Sequence, residues 1–230
     1  MRAAILPPVP SPARGGGPGW GLDAASLDRD GYAVLPALLS PGECRALAAL
    51  YDDDRRFRSR VVMARHGFGQ GEYKYFAHPL PEPVVRLRTA LYAPLAAIAN
   101  RWNAALGIAA RYPDEHAEYL ELCRRAGQTK PTPLMLRYGA NDYNCLHQDI
   151  YGEHVFPLQA TILLSDPAEF AGGEFVLVEQ RPRRQSRAEV LAGRARRSFL
   201  APERFGYTAL WRHRRILDVV RQPSRPVRRA

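Results

Sequence analysis

The sequence predicts an α+β domain in which a β-sandwich or barrel is buttressed by helices, and three observations carry that reading. Helical periodicity occupies the chain up to about Lys130 and short strand-like runs occupy the remainder, an order that segregates helices from an antiparallel sheet. Val84, Leu87, Leu91, Leu95, Ile98, Trp102 and Leu106 recur at spacings of three and four, one apolar stripe of a long helix. Residues 133–138, 155–164 and 174–179 are rich in Val, Leu, Ile and Phe and are separated by Gly, Asn and Asp, as strands are.

Taken in chain order, residues 1–21 hold five Pro and four Gly before position 20 and read as a flexible lead-in that buries no core. Residues 31–39 read as a strand and its exit. Ser40-Pro-Gly-Glu43 is a helix start: Ser at the N-cap, Pro at the first helical position, Glu three residues on as a capping box. That helix runs to about Tyr51 and ends at Asp52-Asp53-Asp54. Gly67-Phe-Gly69-Gln-Gly71 reads as a flexible turn, since no long apolar strand precedes it and no helix comes after it, as a phosphate loop would require. Pro94 should kink the long helix and Gly107 closes it. A third helix over 114–125 is amphipathic through Ala117, Leu120 and Cys123. These stripes read as faces packed on a sheet.

At 230 residues, with 46% hydrophobic and 24% charged residues, the composition excludes a disordered chain, a collagen-like one and a coiled coil. The net charge of +10 invites a nucleic-acid reading. Yet eleven of the Arg residues lie in 191–230 against only Glu203 and Asp218, so 1–190 carries a net of +1. The basic character belongs to the tail. Cys44, Cys123 and Cys145 are odd in number and far apart, which argues for a reducing compartment. No run reaches the roughly 18 apolar residues of a membrane span, and Pro7 and Pro8 interrupt any signal-peptide core. A soluble, cytoplasmic protein without a membrane partner is expected.

The stretch that carries chemistry is Leu134-Met-Leu-Arg-Tyr138-Gly-Ala-Asn-Asp-Tyr143-Asn-Cys-Leu-His147-Gln-Asp149. In an extended segment side chains alternate, so His147 and Asp149 point to the same side. One further His and open positions would complete the 2-His-1-carboxylate set of non-haem Fe(II) oxygenases. A surface loop in which Asp149 bonds His147 is the plain alternative. Zinc held by Cys145, His147, Asp149 and His154 is another, although the paired cysteines of structural zinc sites are missing. Cys145 reads as a small residue on the same face, not as a nucleophile with an arranged base. Tyr73, Lys74, Tyr75 and Phe76 form a basic-aromatic cluster suited to substrate contact, and edge-strand packing accounts for it equally well.

With a strand ending in Arg137-Tyr138 upstream, and Gln159-Ala-Thr-Ile-Leu-Leu164 and Phe170-Ala-Gly-Gly-Glu174 downstream, the sequence resembles the Fe(II)- and 2-oxoglutarate-dependent dioxygenases. Arg-Tyr, eight residues, then His-Gln-Asp is most similar to AlkB-type enzymes that dealkylate damaged nucleobases. Phe-x-Gly-Gly-Glu is similar to prolyl-hydroxylase-type members, and Leu27-Asp-Arg-Asp-Gly-Tyr-Ala-Val-Leu-Pro36 to the phytanoyl-hydroxylase-like branch. Closest is a bacterial oxygenase family grouped with damaged-DNA demethylation. The resemblance covers 22–190 and implies a double-stranded β-helix (jelly-roll) core, with Fe(II), 2-oxoglutarate and O2 as metal and cosubstrates. It implies that His147 and Asp149 bind iron and that Tyr138 hydrogen-bonds 2-oxoglutarate, with Leu136 standing where AlkB-type enzymes have Asn. Implied substrates are damaged DNA or RNA, or else a protein side chain or small molecule.

The resemblance also requires a distal His in the last forty residues, followed by a basic residue. The only histidine there is His213, in Trp211-Arg-His-Arg-Arg215, where flanking cations oppose Fe(II). Residues 191–230 therefore read as an atypical Arg-rich tail, as a frame change near 191 would produce. The last core strands are then expected to be missing, and an inactive member acting as a binding module becomes the rival function.

Overall fold

The computed structural model describes residues 22, 24–35, 38–147, 152–179, 185, 187–191, 198–202, 206–209 and 214–218. The lead-in 1–21, Asp149 and His213 lie outside them. These described residues form two antiparallel sheets and a layer of helices. The larger sheet has seven strands in the order β1 (Ala33–Leu35), β8 (Ser198–Pro202), β5 (Leu158–Leu163), β10 (Arg214–Asp218), β4 (Leu134–Tyr138), β3 (Glu72–Phe76) and β2 (Phe57–Val62). The smaller has three, β7 (Arg187–Leu191), β6 (Phe175–Glu179) and β9 (Gly206–Ala209).

Helix α1 (Ala24–Asp30), which periodicity does not single out, leads into β1. Helix α2 (Pro41–Ala49) starts on the expected capping box: the Glu43 amide donates to Ser40 Oγ at 3.2 Å and the Ser40 amide to Glu43 Oε2 at 2.8 Å. Helix α3 (Glu82–Ala105) continues through Pro94 as one element. It buries Val84, Leu87, Leu91, Leu95 and Ile98, whereas Leu106, at the end of the predicted stripe, is exposed beyond the helix. Helix α4 (His116–Arg125) begins two residues later than expected, and Tyr119 and Cys123 are its buried residues while Ala117 faces solvent.

Strand alternation divides the core in two. On the helix side of the large sheet, Met135, Leu158, Ala160 and Ile162 pack with Leu87, Leu91, Leu95 and Phe156. Each fully buried Leu there contributes roughly 1.5–3 kcal/mol. On the other side, Tyr138, Leu163 and Met63 meet Phe175, Leu177 and Leu191 of the small sheet. This second cluster fills the space between the sheets.

The expectation that the last core strands are missing is corrected by the structure. Strand β10 pairs with both β4 and β5, with Arg214 opposite Tyr138 and Ile216 opposite Leu163, while β8 joins β1 to β5. These strands are short and broken by Arg or Pro, so they lack the alternation that marks a strand in sequence. Their backbones nonetheless satisfy the ladders of their neighbours.

Burial, with Arg88 nearby, lowers the pKa of His116 from 6.5 to about 4, where its ring packs 5.1 Å from that of Tyr92. The unfolded chain therefore takes up this proton first as pH falls. The stabilising contribution is complete above the unfolded value of 6.5, is lost down to about 4 and is constant below. Its size is at most about 3 kcal/mol. His116→Gln should flatten urea-unfolding stability between about pH 6.5 and 5 relative to wild type; an unchanged slope would refute the assignment.

Candidate functional site

Tyr138 ends β4 in the space between the sheets, and the next loop carries His147. A turn opens the loop: the Gly139 amide donates to Asp142 Oδ2 at 2.6 Å, and Asn141 takes a left-handed φ of 67°. Burial drives the Tyr138 hydroxyl well above the usual phenol range, with the Asn144 side chain acting in the opposite sense. The phenol is thus a neutral O–H donor at any working pH.

The glycine-rich turn has a definite task. It connects β2 to β3 and clasps the His147 loop along its backbone. The Gln70 amide donates to the Tyr143 carbonyl at 2.7 Å, the Cys145 amide to the Phe68 carbonyl at 2.8 Å, and Gly69 bridges Asn144. A Cβ on Gly69, whose φ is 117°, would lie 2.2 Å from the Tyr143 oxygen, so only glycine permits this approach. The turn is therefore a backbone clasp and not a phosphate loop.

His147 is half-buried, and its Nδ1 lies 2.8 Å from the Cys145 carbonyl. A carbonyl can only accept, so Nδ1 carries a proton, and in the neutral ring the lone pair is on Nε2. Metal-binding imidazoles are commonly oriented in this way. Cys145 directs its thiol to the Gly67 carbonyl at 3.6 Å. Among the described residues no three His, Cys, Asp or Glu side chains gather to hold a metal, so Cys145, His147 and His154 do not form a zinc cluster by themselves. His154 is instead bound through its backbone, its amide donating to Gln128 Oε1 at 2.9 Å.

Two residues in the stretches read for chemistry face the helices. Arg137 contacts Asp52 at 3.2 Å and Glu72 at 2.5 Å and lies 4.5 Å over the Tyr51 ring. Lys74 is buried, donating to the Tyr51 carbonyl at 2.8 Å and to Asp54 at 2.6 Å. Glu72 ties the network together: burial would raise its pKa, but Arg60 and Arg137 hold it below the usual carboxylate value. Phe76 stacks on Phe57 in the helix-side core, whereas Tyr73 packs against the cluster between the sheets. The basic-aromatic cluster is thus split by strand parity. Of its members Lys74 and Phe76 are structural.

Around the His147 loop, Phe68, Tyr143 and Leu146 are 46%, 37% and 54% exposed. The Phe68 ring stacks on that of His66 at a centroid distance of 5.3 Å. These side chains give the loops an exposed apolar rim.

A family profile, described as an oxygenase catalysing oxidative methylation of damaged DNA, matches residues 71–202. This chain belongs to the Oxygenase-NA family. Uncharacterized proteins from two strains of Mycobacterium tuberculosis are each 47% identical to this Oxygenase-NA chain over 154 residues. That match spans 66% of this chain and 63% of those relatives. Three solved structures share the fold of the Oxygenase-NA chain. An oxidoreductase of the 2OG-Fe(II) oxygenase family from Burkholderia pseudomallei gives a TM-score of 0.54 at 17% identity, covering 94% of this chain and 97% of that one. A prolyl hydroxylase from Trichoplax adhaerens, in complex with a peptide fragment of hypoxia inducible factor, gives 0.55 at 12% identity, covering 87% of each chain. A prolyl 4-hydroxylase from Pseudomonas putida gives 0.51 at 12% identity, covering 89% and 97%. These likenesses place the Oxygenase-NA chain on the fold that the three proteins share. Among its described residues no helix is long and apolar enough to cross a membrane.

Proposed function

We propose that this chain is an Fe(II)- and 2-oxoglutarate-dependent dioxygenase that hydroxylates N-alkyl groups of damaged nucleobases, built on a double-stranded β-helix core. The observation that carries the reading is the state of His147. It is held at the end of a clasped loop with Nδ1 donating to the Cys145 carbonyl at 2.8 Å, two residues before Asp149 in the sequence. An imidazole so oriented, with a neighbouring carboxylate, fits an iron site. His147 and Asp149 would hold the metal, and His213 is proposed as the third ligand. With 2-oxoglutarate and O2, iron would supply the oxidation of a substrate C–H bond, and the hydroxylated N-alkyl group then leaves as an aldehyde.

The protein's own contributions are positioning and exclusion of water. Tyr138 supplies a neutral hydroxyl donor for a 2-oxoglutarate carboxylate. The β10 backbone pairs with β4 along its length, so the segment after His213 returns beside Tyr138. Phe175, Leu177, Leu163 and Met63 keep the adjoining space apolar. The β-helix reading is supported by the chain's return from β8 in the large sheet to β9 in the small one and back to β10. A nucleobase substrate is supported by the family description and by the exposed Phe68–His66 stack, since bases pile on exposed aromatic rings.

The test is aldehyde release. Protein supplied with Fe(II), 2-oxoglutarate and O2 should liberate formaldehyde from a single-stranded oligonucleotide carrying an N-methylated base, in step with succinate. Succinate made only with a prolyl peptide or a small molecule would overturn the nucleobase reading and leave a hydroxylase of another substrate class.

A further inference from the structure

We infer that Gln128 is a positioning residue for the metal-binding loop, holding its far end as the glycine turn holds its near end. The inference rests on the reading of His147 and Asp149 as ligands. The near clasp engages Tyr143, Asn144 and Cys145. On the far side the Gln128 carboxamide makes two bonds to one residue. Its Oε1 accepts from the His154 amide at 2.9 Å, and its Nε2 donates to the His154 carbonyl at 3.3 Å. A side-chain amide here does the work of a paired strand residue, satisfying both backbone groups of His154.

Three local features show that the contact is built in. Gln128 is only 1% exposed, so its amide must be satisfied within the protein. Its own backbone is set by the end of α4, where the Gly127 amide donates to the Arg124 carbonyl at 2.9 Å and the Gln128 amide to the Cys123 carbonyl at 2.8 Å. This is a Schellman cap, with Gly127 at a φ of 76°. Finally, Gly152 has a φ of 92°, and a Cβ on it would sit 2.5 Å from Gln128 Nε2. The loop therefore carries glycine where the carboxamide passes.

Neighbouring hydroxyls extend the anchor: Tyr119 donates to the His154 carbonyl at 3.3 Å and Tyr112 to the Val155 carbonyl at 2.5 Å. The span that includes His147 and Asp149 thus runs between two anchors, one on the β2–β3 turn and one on the end of α4. Fixing both ends of a ligand-bearing loop lowers the ordering cost of metal binding and holds the ligand spacing.

Co(II) affinity, read by visible absorption of the full chain under anaerobic conditions, tests the inference. Gln128→Met fills the same space without either bond, and Gly152→Ala attacks the contact from the loop side. Each should weaken Co(II) binding by about 10-fold or more, the range of supporting contacts around metal ligands. Gln128→Glu keeps an acceptor for the His154 amide and should fall between wild type and Gln128→Met. Asn103→Leu is the stability control. It removes a buried bond to the Ala110 carbonyl, 2.9 Å long and on α3, and should leave Co(II) affinity unchanged. Wild-type affinity in both Gln128→Met and Gly152→Ala, with binding lost in His147→Ala, would overturn the role of Gln128 alone. Equal loss in Asn103→Leu would reduce it to general stability. Undiminished binding in His147→Ala would overturn the ligand reading, and this inference with it.

Discussion

Replacing His147 by Ala is expected to reduce Fe(II) affinity by at least about 100-fold and turnover to background, because a ligand contributes more than the outer contacts whose loss costs 10- to 100-fold. Thermal stability should hardly change. The ring is half-buried, not part of either apolar core cluster. Asp149→Ala should match it in metal affinity and in activity. Isothermal titration with Fe(II) under argon, paired with thermal unfolding, separates loss of a ligand from loss of the fold. Turnover retained in either variant would contradict the assignment.

The second large effect is at Gly69. Alanine there would place its Cβ 2.2 Å from the Tyr143 carbonyl oxygen, at a φ of 117° that side chains rarely adopt. The strain and the displaced clasp should together cost about 2–4 kcal/mol. Gly67 is an informative comparison. Its φ is 70°, but nothing lies within 4 Å of a Cβ built on it. Gly67→Ala should therefore cost about 1 kcal/mol, the left-handed penalty alone, and leave metal affinity intact. Gly69→Ala should lower both stability and metal affinity. Equal effects at the two positions would mean that the clasp does not position the His147 loop.

How much of the fold is legible in the sequence depends on the range of the interactions involved. The capping box of α2 and the stripe of α3 are local patterns whose energetics need no partner, and both stand where periodicity and capping place them. Strands β4, β5 and β6 are visible as apolar runs, with ends displaced by up to three residues. Strands β8 to β10 are not, since segments of four or five residues that end in Pro, begin with Gly or begin with paired Arg become strands only through the neighbours they pair with. Parity decides the site. Arg137 and Tyr138 are adjacent in sequence, yet one joins the ion-pair network over Tyr51 and the other enters the space between the sheets. For the same reason Lys74 takes the packing alternative of its cluster and not the substrate-contact one. Gln128 has no signature at all, because a carboxamide clamp on backbone groups demands no motif at either end.

The charge distribution also takes a different meaning in three dimensions. The tail that holds most of the excess Arg contributes β10, which lies between β5 and β4 and sets Arg214 opposite Tyr138.

The central claim is that His147 and Asp149 form an iron site that takes 2-oxoglutarate. Its most direct test is anaerobic addition of Fe(II) and then 2-oxoglutarate to the full chain, with visible absorption recorded after each. The account predicts a metal-to-ligand charge-transfer band that needs both additions, is absent in His147→Ala and in Asp149→Ala, and decays to succinate when O2 is admitted. No band in the wild type and no succinate on oxygenation would contradict it, and would leave a binding module on an oxygenase scaffold.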